Sequence, residues 1–130
     1  MTRNFAVIPR DILDDDDYLS LDPDHMHVWL VLCLTRTGGK CGIFRGHLAL
    51  CRDSQRSTEI VLAALEAFAQ RGWVERDRDW TWVRDRIELQ GNSPNWKRDA
   101  LREAGSWTGE TALAQRCLER YAADGLEADE

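Results

Sequence analysis

Four cysteines, three histidines and a run of four aspartates are the residues of this 130-residue chain whose types could do chemistry, and their spacing assigns them none. Cys33, Cys41, Cys51 and Cys117 form no close pair of the zinc-knuckle or redox-dithiol kind, and no histidine pair completes a metal set. Three of the four lie beside apolar residues, as core thiols in a reducing compartment do. His25 and His27 do not share a helical face, and with His47 they read as surface or half-buried side chains. Asp14 to Asp17 lacks the spaced oxygens and glycine bend of a calcium loop and reads as a solvated turn or helix start. No nucleophile stands at readable spacing from a base, and no glycine loop cradles phosphate. The chain is expected not to be an enzyme and to need no cofactor or metal.

The arginines are a different matter. The formal net charge is −6, but it is unevenly spread: residues 1–24 carry −5, residues 103–130 carry −5, and residues 25–102 carry +4. A basic middle between acidic ends is compatible with a surface that faces DNA. With 43% hydrophobic and 31% charged residues, composition is that of an ordinary globular domain. The absence of a leader pattern and of a membrane-length apolar run makes a cytoplasmic location, in a host cell, the expectation.

The elements that must position those arginines follow from local signals. Met1 to Asp11 reads as an extended lead-in, with Pro9 starting a short turn through Ile12 and Leu13. Asp22-Pro23 starts a helix that should run to about Thr37, apolar nearly all round and stopped by Gly38-Gly39. Cys41 to Phe44 is β-prone, and Arg45 to Arg52 forms a short helix with Leu48 and Cys51 inward. After a turn at 53–56, Ser57 caps a helix through Arg71 with Val61, Ala64, Leu65 and Phe68 inward, and Gly72 ends it. Residues 73–76 and 80–84 alternate about Asp77-Arg78-Asp79 as a β-hairpin whose turn lacks the usual glycine. Gln90 to Asn95 is a loop, two helices follow at roughly 95–104 and 109–124, and Gly125 to Glu130 frays. The expectation is a mostly α fold with a small antiparallel hairpin: a winged helix-turn-helix over 1–90, then a linker and helical extension over 91–130 packed on or beside it.

That order resembles the amino-terminal winged-helix domain of phage replication initiators and DnaD-type replisome organisers. The matching pieces are Ile8-Pro9, Tyr18-Leu19-Ser20-Leu21, Val28 to Leu34, Gly42-Ile43-Phe44, Ser57-Thr58-Glu59 to Phe68, and Arg71-Gly72-Trp73-Val74. Leu89 to Asn95 is similar to the polar linker that follows the wing in such proteins, and the resemblance spans residues 5 to 103. It implies a double-stranded DNA-binding module of phage or prophage origin, acting in replication initiation or its control and often self-associating. The separate part that engages the helicase is not expected in this chain.

Helix 57–71 would be the recognition helix, yet its outward face must present Glu59, Ala63, Glu66 and Gln70, which suits phosphates poorly. The expected DNA contacts are therefore Gln55, Arg56, Ser57 and Thr58 at the helix start, Arg45 and Arg52 before it, and Arg76, Arg78, Arg84 and Arg86 from the wing. Trp80 could stack on a base or fill a partner's pocket, or it could pack against the hairpin. Asp77, Asp79 and Asp85 could equally neutralise the wing arginines. The rival reading keeps the fold and changes the partner: a small acidic phage protein using Glu59, Glu66, Gln70 and Trp80 to bind and inhibit a host protein complex, for example a defence system. A dimeric repressor built on helix 109–124 is the third.

Overall fold

The structure is a computed structural model and describes residues 10–90 and 93–123. The chain is mostly helical with a small antiparallel sheet. A 3-10 turn, Arg10–Asp14, precedes α1 (Asp16–Leu19) and α2 (Pro23–Leu34). Strand β1 (Ile43–Arg45), α3 (Leu48–Ser54), α4 (Thr58–Gln70), β2 (Val74–Asp77) and β3 (Trp80–Val83) follow, then α5 (Arg86–Gln90), α6 (Pro94–Gly105) and α7 (Ala112–Ala123). The Ile8-Pro9 piece, Gly91-Asn92 and the frayed carboxyl end lie outside the described residues.

Helix starts are set by short polar side chains. Asp22 accepts from the Asp24 N–H at 2.9 Å with Pro23 as the first helical residue, and Ser57 and Ser93 accept from the N–H of Ile60 and Trp96. Asp15 caps α1 through the N–H groups of Asp17 and Tyr18. The expected stop of α2 at Gly38-Gly39 is corrected: it ends at Leu34, where Thr35 turns extended (ψ 150°). The expected helix over 45–52 is shifted as well. It begins at Leu48, so Leu50 and Ser54 face inward and Leu48 is 75% exposed.

The hairpin has a third partner. The sheet order is β1-β3-β2, with Ile43 opposite Trp82, and Glu75 opposite the same tryptophan from the other side. Because side chains alternate across a strand, β3 sends Thr81 and Val83 to one face and Trp80 and Trp82 to the other. The first face joins Phe44 and Val74 in a core with Val28 and Leu32 of α2, Leu50 of α3, and Val61, Ala64, Leu65 and Phe68 of α4. The second joins Cys41 and Ile43 in a separate core with Ile87, Ala100, Leu101, Leu113, Cys117 and Tyr121. Helices α6 and α7 thus cover the far face of the sheet, and the sheet lies between two apolar layers.

Those carboxyl-terminal helices are gripped by specific polar contacts. Glu103 of α6 accepts from the Lys40 N–H at 3.1 Å, and Lys40 pairs with Asp99 at 3.1 Å. Arg116 of α7 bonds Glu75 of β2, and Arg120 donates to the Arg84 carbonyl at 2.7 Å and to Asp85 at 3.0 Å. The apolar side of α7 is spent on this core, which leaves Gln115, Arg116 and Glu119 outward. None of the described helices is long and apolar enough to cross a membrane.

Candidate nucleic-acid interface

The α3–turn–α4 segment gathers most of the side chains expected to meet DNA. Gln55 caps α3 in the left-handed region (φ 57°) and its amide donates back to the Arg52 carbonyl at 2.7 Å. The chain then re-enters helix at Thr58 after only Gln55, Arg56 and Ser57, so all three stand at the amino end of α4 beside its unpaired N–H groups. Gln55, Ser57 and Thr58 are exposed, as is Arg52, whose guanidinium bonds Asp53 at 3.1 Å. Thr35 and then Arg52 hold the Asp53 carboxyl below the usual carboxylate range. Arg56 is more committed: it is half-buried, bonds Asp24 at 2.9 Å, and donates to the carbonyls of Ser54 and Gln55.

The hairpin turn closes in two residues, Arg78 and Asp79, between the paired Asp77 and Trp80. It does so without glycine because Arg78 itself takes φ 57°. Arg78 is exposed and makes no hydrogen bond or ion pair with any described residue. Beside it, Arg45 of β1 bonds Asp79 at 3.0 Å, an exposed pair in which each partner stabilises the other's charged form. Arg76 is half-buried and bonds the Thr81 hydroxyl at 3.2 Å. Exposed pairs such as Arg45–Asp79 and Arg52–Asp53 hold weakly and can exchange a carboxylate for a phosphate.

One expected contact is overturned, and two more of the expected residues are engaged within the fold. Arg86 is not on the hairpin: it opens α5, is 1% exposed, and donates to the carbonyls of Leu32 (2.7 Å), Thr35, Thr37 and Gly39. Burial lowers its pKa from the ordinary arginine value. It serves as the carboxyl-terminal cap of α2, supplying the donors that the end of a helix lacks. Gly42 makes room for it, since a Cβ there would stand 2.6 Å from the Arg86 Cβ. Trp80 is 7% exposed and packs on Trp107, ring centroids 5.3 Å apart, so of its two readings the packed one holds and the ring fills the second core. Arg84 is diverted too, lying by Glu75 at 3.5 Å and over the Trp82 ring.

The outward face of α4 is as the periodicity demanded: Glu59, Ala63, Glu66 and Gln70 are all exposed, while Val61, Ala64, Leu65 and Phe68 are fully buried. Two features were not foreseen. One is α5 with its buried arginine; the other is a cleft at the opposite end of α4, lined by Asp11, Asp14, Trp29 and Trp73 among others. Both join residues far apart in the chain, and no local spacing signals them. Among the described residues, no group of three or more His, Cys, Asp or Glu side chains converges as a metal site would require. No family model, no curated protein and no solved structure matches the chain.

Proposed function

We propose that this chain is a winged-helix module that binds double-stranded DNA, working in the initiation of replication, or its control, for a phage or prophage. The element order from α2 to β3 supports the winged-helix reading, with the β2–β3 hairpin as wing and α4 as recognition helix. The observation that carries DNA binding is the solvent-facing start of α4. There Arg52, Gln55, Ser57 and Thr58 surround the positive end of a 13-residue helix. Arg78 at the hairpin apex and the exchangeable Arg45 complete the cationic set. Replication, and a phage origin, rest on the ordered resemblance of residues 5–103. Binding of a labelled duplex across a salt series tests the proposal. Phosphate-led binding weakens steeply as salt rises, and binding that ignores salt, or none at low salt, overturns it.

A second reading is favoured by one observation. Glu59, Glu66 and Gln70 form an exposed, partly acidic stripe along α4, opposite in sign to what a groove attracts. On this reading the same fold binds a host protein complex and inhibits it. It requires a stable complex with a protein target and no duplex shift at moderate salt. Charge reversal at Glu59 and Glu66 breaks that complex and leaves DNA binding unchanged or stronger.

A further inference from the structure

The geometry points to a second binding site: the cleft between the 3-10 turn, α1, α2 and the hairpin base takes an organic cation on an apolar stem, an alkylammonium or guanidinium group. The cleft encloses about 420 Å³, within the span of small-ligand sites, roughly 300–1,000 Å³. Its walls are aromatic. Trp29 and Trp73 meet with ring centroids 4.8 Å apart at 44°, and Tyr18 closes one side. Its ionisable groups include four carboxylates, Asp11, Asp14, Asp15 and Asp85, and among the described residues no Lys, Arg or His lines it.

These carboxylates are not equally engaged. Asp15 caps α1 and Asp85 pairs with Arg120, whereas Asp11 and Asp14 are exposed and bond no described residue. One of the two indoles already attracts a guanidinium from outside the lining, since Arg71 lies 5.9 Å from the Trp73 ring centroid. Carboxylates at the mouth supply charge and indole faces supply the quadrupole, and that combination recognises a soft organic cation. A hard divalent ion is excluded by the same walls, because it needs several converging oxygens and finds indole carbon instead.

The cleft lies by Trp73, just past the carboxyl end of α4, while the proposed DNA contacts surround its start, about 20 Å away along the helix. The two proposals therefore stand or fall separately. Two sources carry the required chemistry: a free polyamine, or the lysine or arginine side chain of a partner protein.

The test uses the full chain, 15N-labelled, without DNA, and follows the indole N–H resonances of Trp29 and Trp73. One arm adds spermidine; the other adds a tryptophan-free peptide of glycines with a single arginine. Saturable shifts at both indoles are expected in at least one arm. They should weaken roughly tenfold in the Asp11→Asn/Asp14→Asn variant, whose thermal midpoint stays at that of the parent. Saturation by spermidine alone assigns a free amine, and saturation by the peptide assigns a partner's side chain. Shifts that do not saturate in either arm, or that are as strong in the double variant, overturn the proposal.

Discussion

Asp77 at the end of β2 accepts the Thr111 hydroxyl at 2.9 Å, and with the same oxygen the backbone N–H of Ala112 at 3.3 Å. Thr111 in turn accepts from the Leu113 N–H at 3.2 Å. The hairpin thus caps α7, and α7 in return lies against the hairpin and the strands behind it. A hairpin so braced is a stiff projection, and its apex, Arg78, is held in place from behind. Asp77→Ala is expected to lower stability by about 1–2 kcal/mol, the cost of losing a charged cap. In urea titrations the Asp77→Ala and Thr111→Ala losses should be non-additive, coupled by about 0.5–1 kcal/mol. Strict additivity would show that the two residues do not act together.

Arg86 is the buried counterpart of that arrangement. Replacing it by methionine leaves the carbonyls of Leu32, Thr35, Thr37 and Gly39 without their donor, and should cost about 3 kcal/mol or more. Lysine is not expected to rescue it, because one ammonium cannot reproduce the spread of a planar guanidinium. Affinity for duplex DNA, normalised to the folded fraction, should be unchanged in Arg86→Met. A loss of affinity by the fully folded variant would return Arg86 to the interface.

Much of this fold is written locally and much of the site is not. The caps Asp22, Ser57 and Ser93, the inward set of α4 and the alternation in β3 are short-range signals, and they give the elements and their order. Alternation also put Trp80 and Trp82 on one face, but only the docking of α6 and α7 decides that this face is covered. Arg86 escapes local signals for the same reason: its partners lie 47 to 54 residues away, in the last turn of α2 and the segment after it. In α3, Leu50 and Ser54, four apart, share the inward face, whereas Leu48, two before Leu50, falls on the outward side, a choice between faces that only the packing of α3 makes.

The thiols give a pH dependence with a definite sign. Burial pushes Cys33 up to about 11 and both Cys41 and Cys117 up to about 12, from an ordinary value of 9.0. Below pH 9.0 these thiols are protonated in both states and their contribution to stability is complete. As pH rises past that value the unfolded chain sheds thiol protons that the folded chain keeps. Stability therefore falls until the folded pKa values are reached. Urea midpoints under reducing conditions should decline from about pH 9 to about pH 11, and the decline should be shallower in Cys117→Ala. In the native chain at about pH 8, iodoacetamide should label Cys51, which is half-buried, well ahead of the other three. A midpoint that is level across this range would remove the buried thiols from the balance.

Arg78 offers the sharpest separation of stability from function. A non-glycine residue at φ 57° is strained, and the strain is kept at an exposed position where Arg78 bonds no described residue. Arg78→Gly should therefore raise stability by about 0.5–1 kcal/mol, since glycine adopts that conformation without the Cβ clash. If the apex meets a phosphate, the same change should weaken duplex binding and reduce the slope of log affinity against log salt by about one. Arg78→Glu should weaken binding further, with no gain in stability, and Arg52→Glu should act in the same direction from the other side of the proposed interface. A glycine variant that is more stable and binds DNA as well as the parent would place the apex outside the interface. A variant that is more stable and binds less ties the strained turn to the function proposed for it.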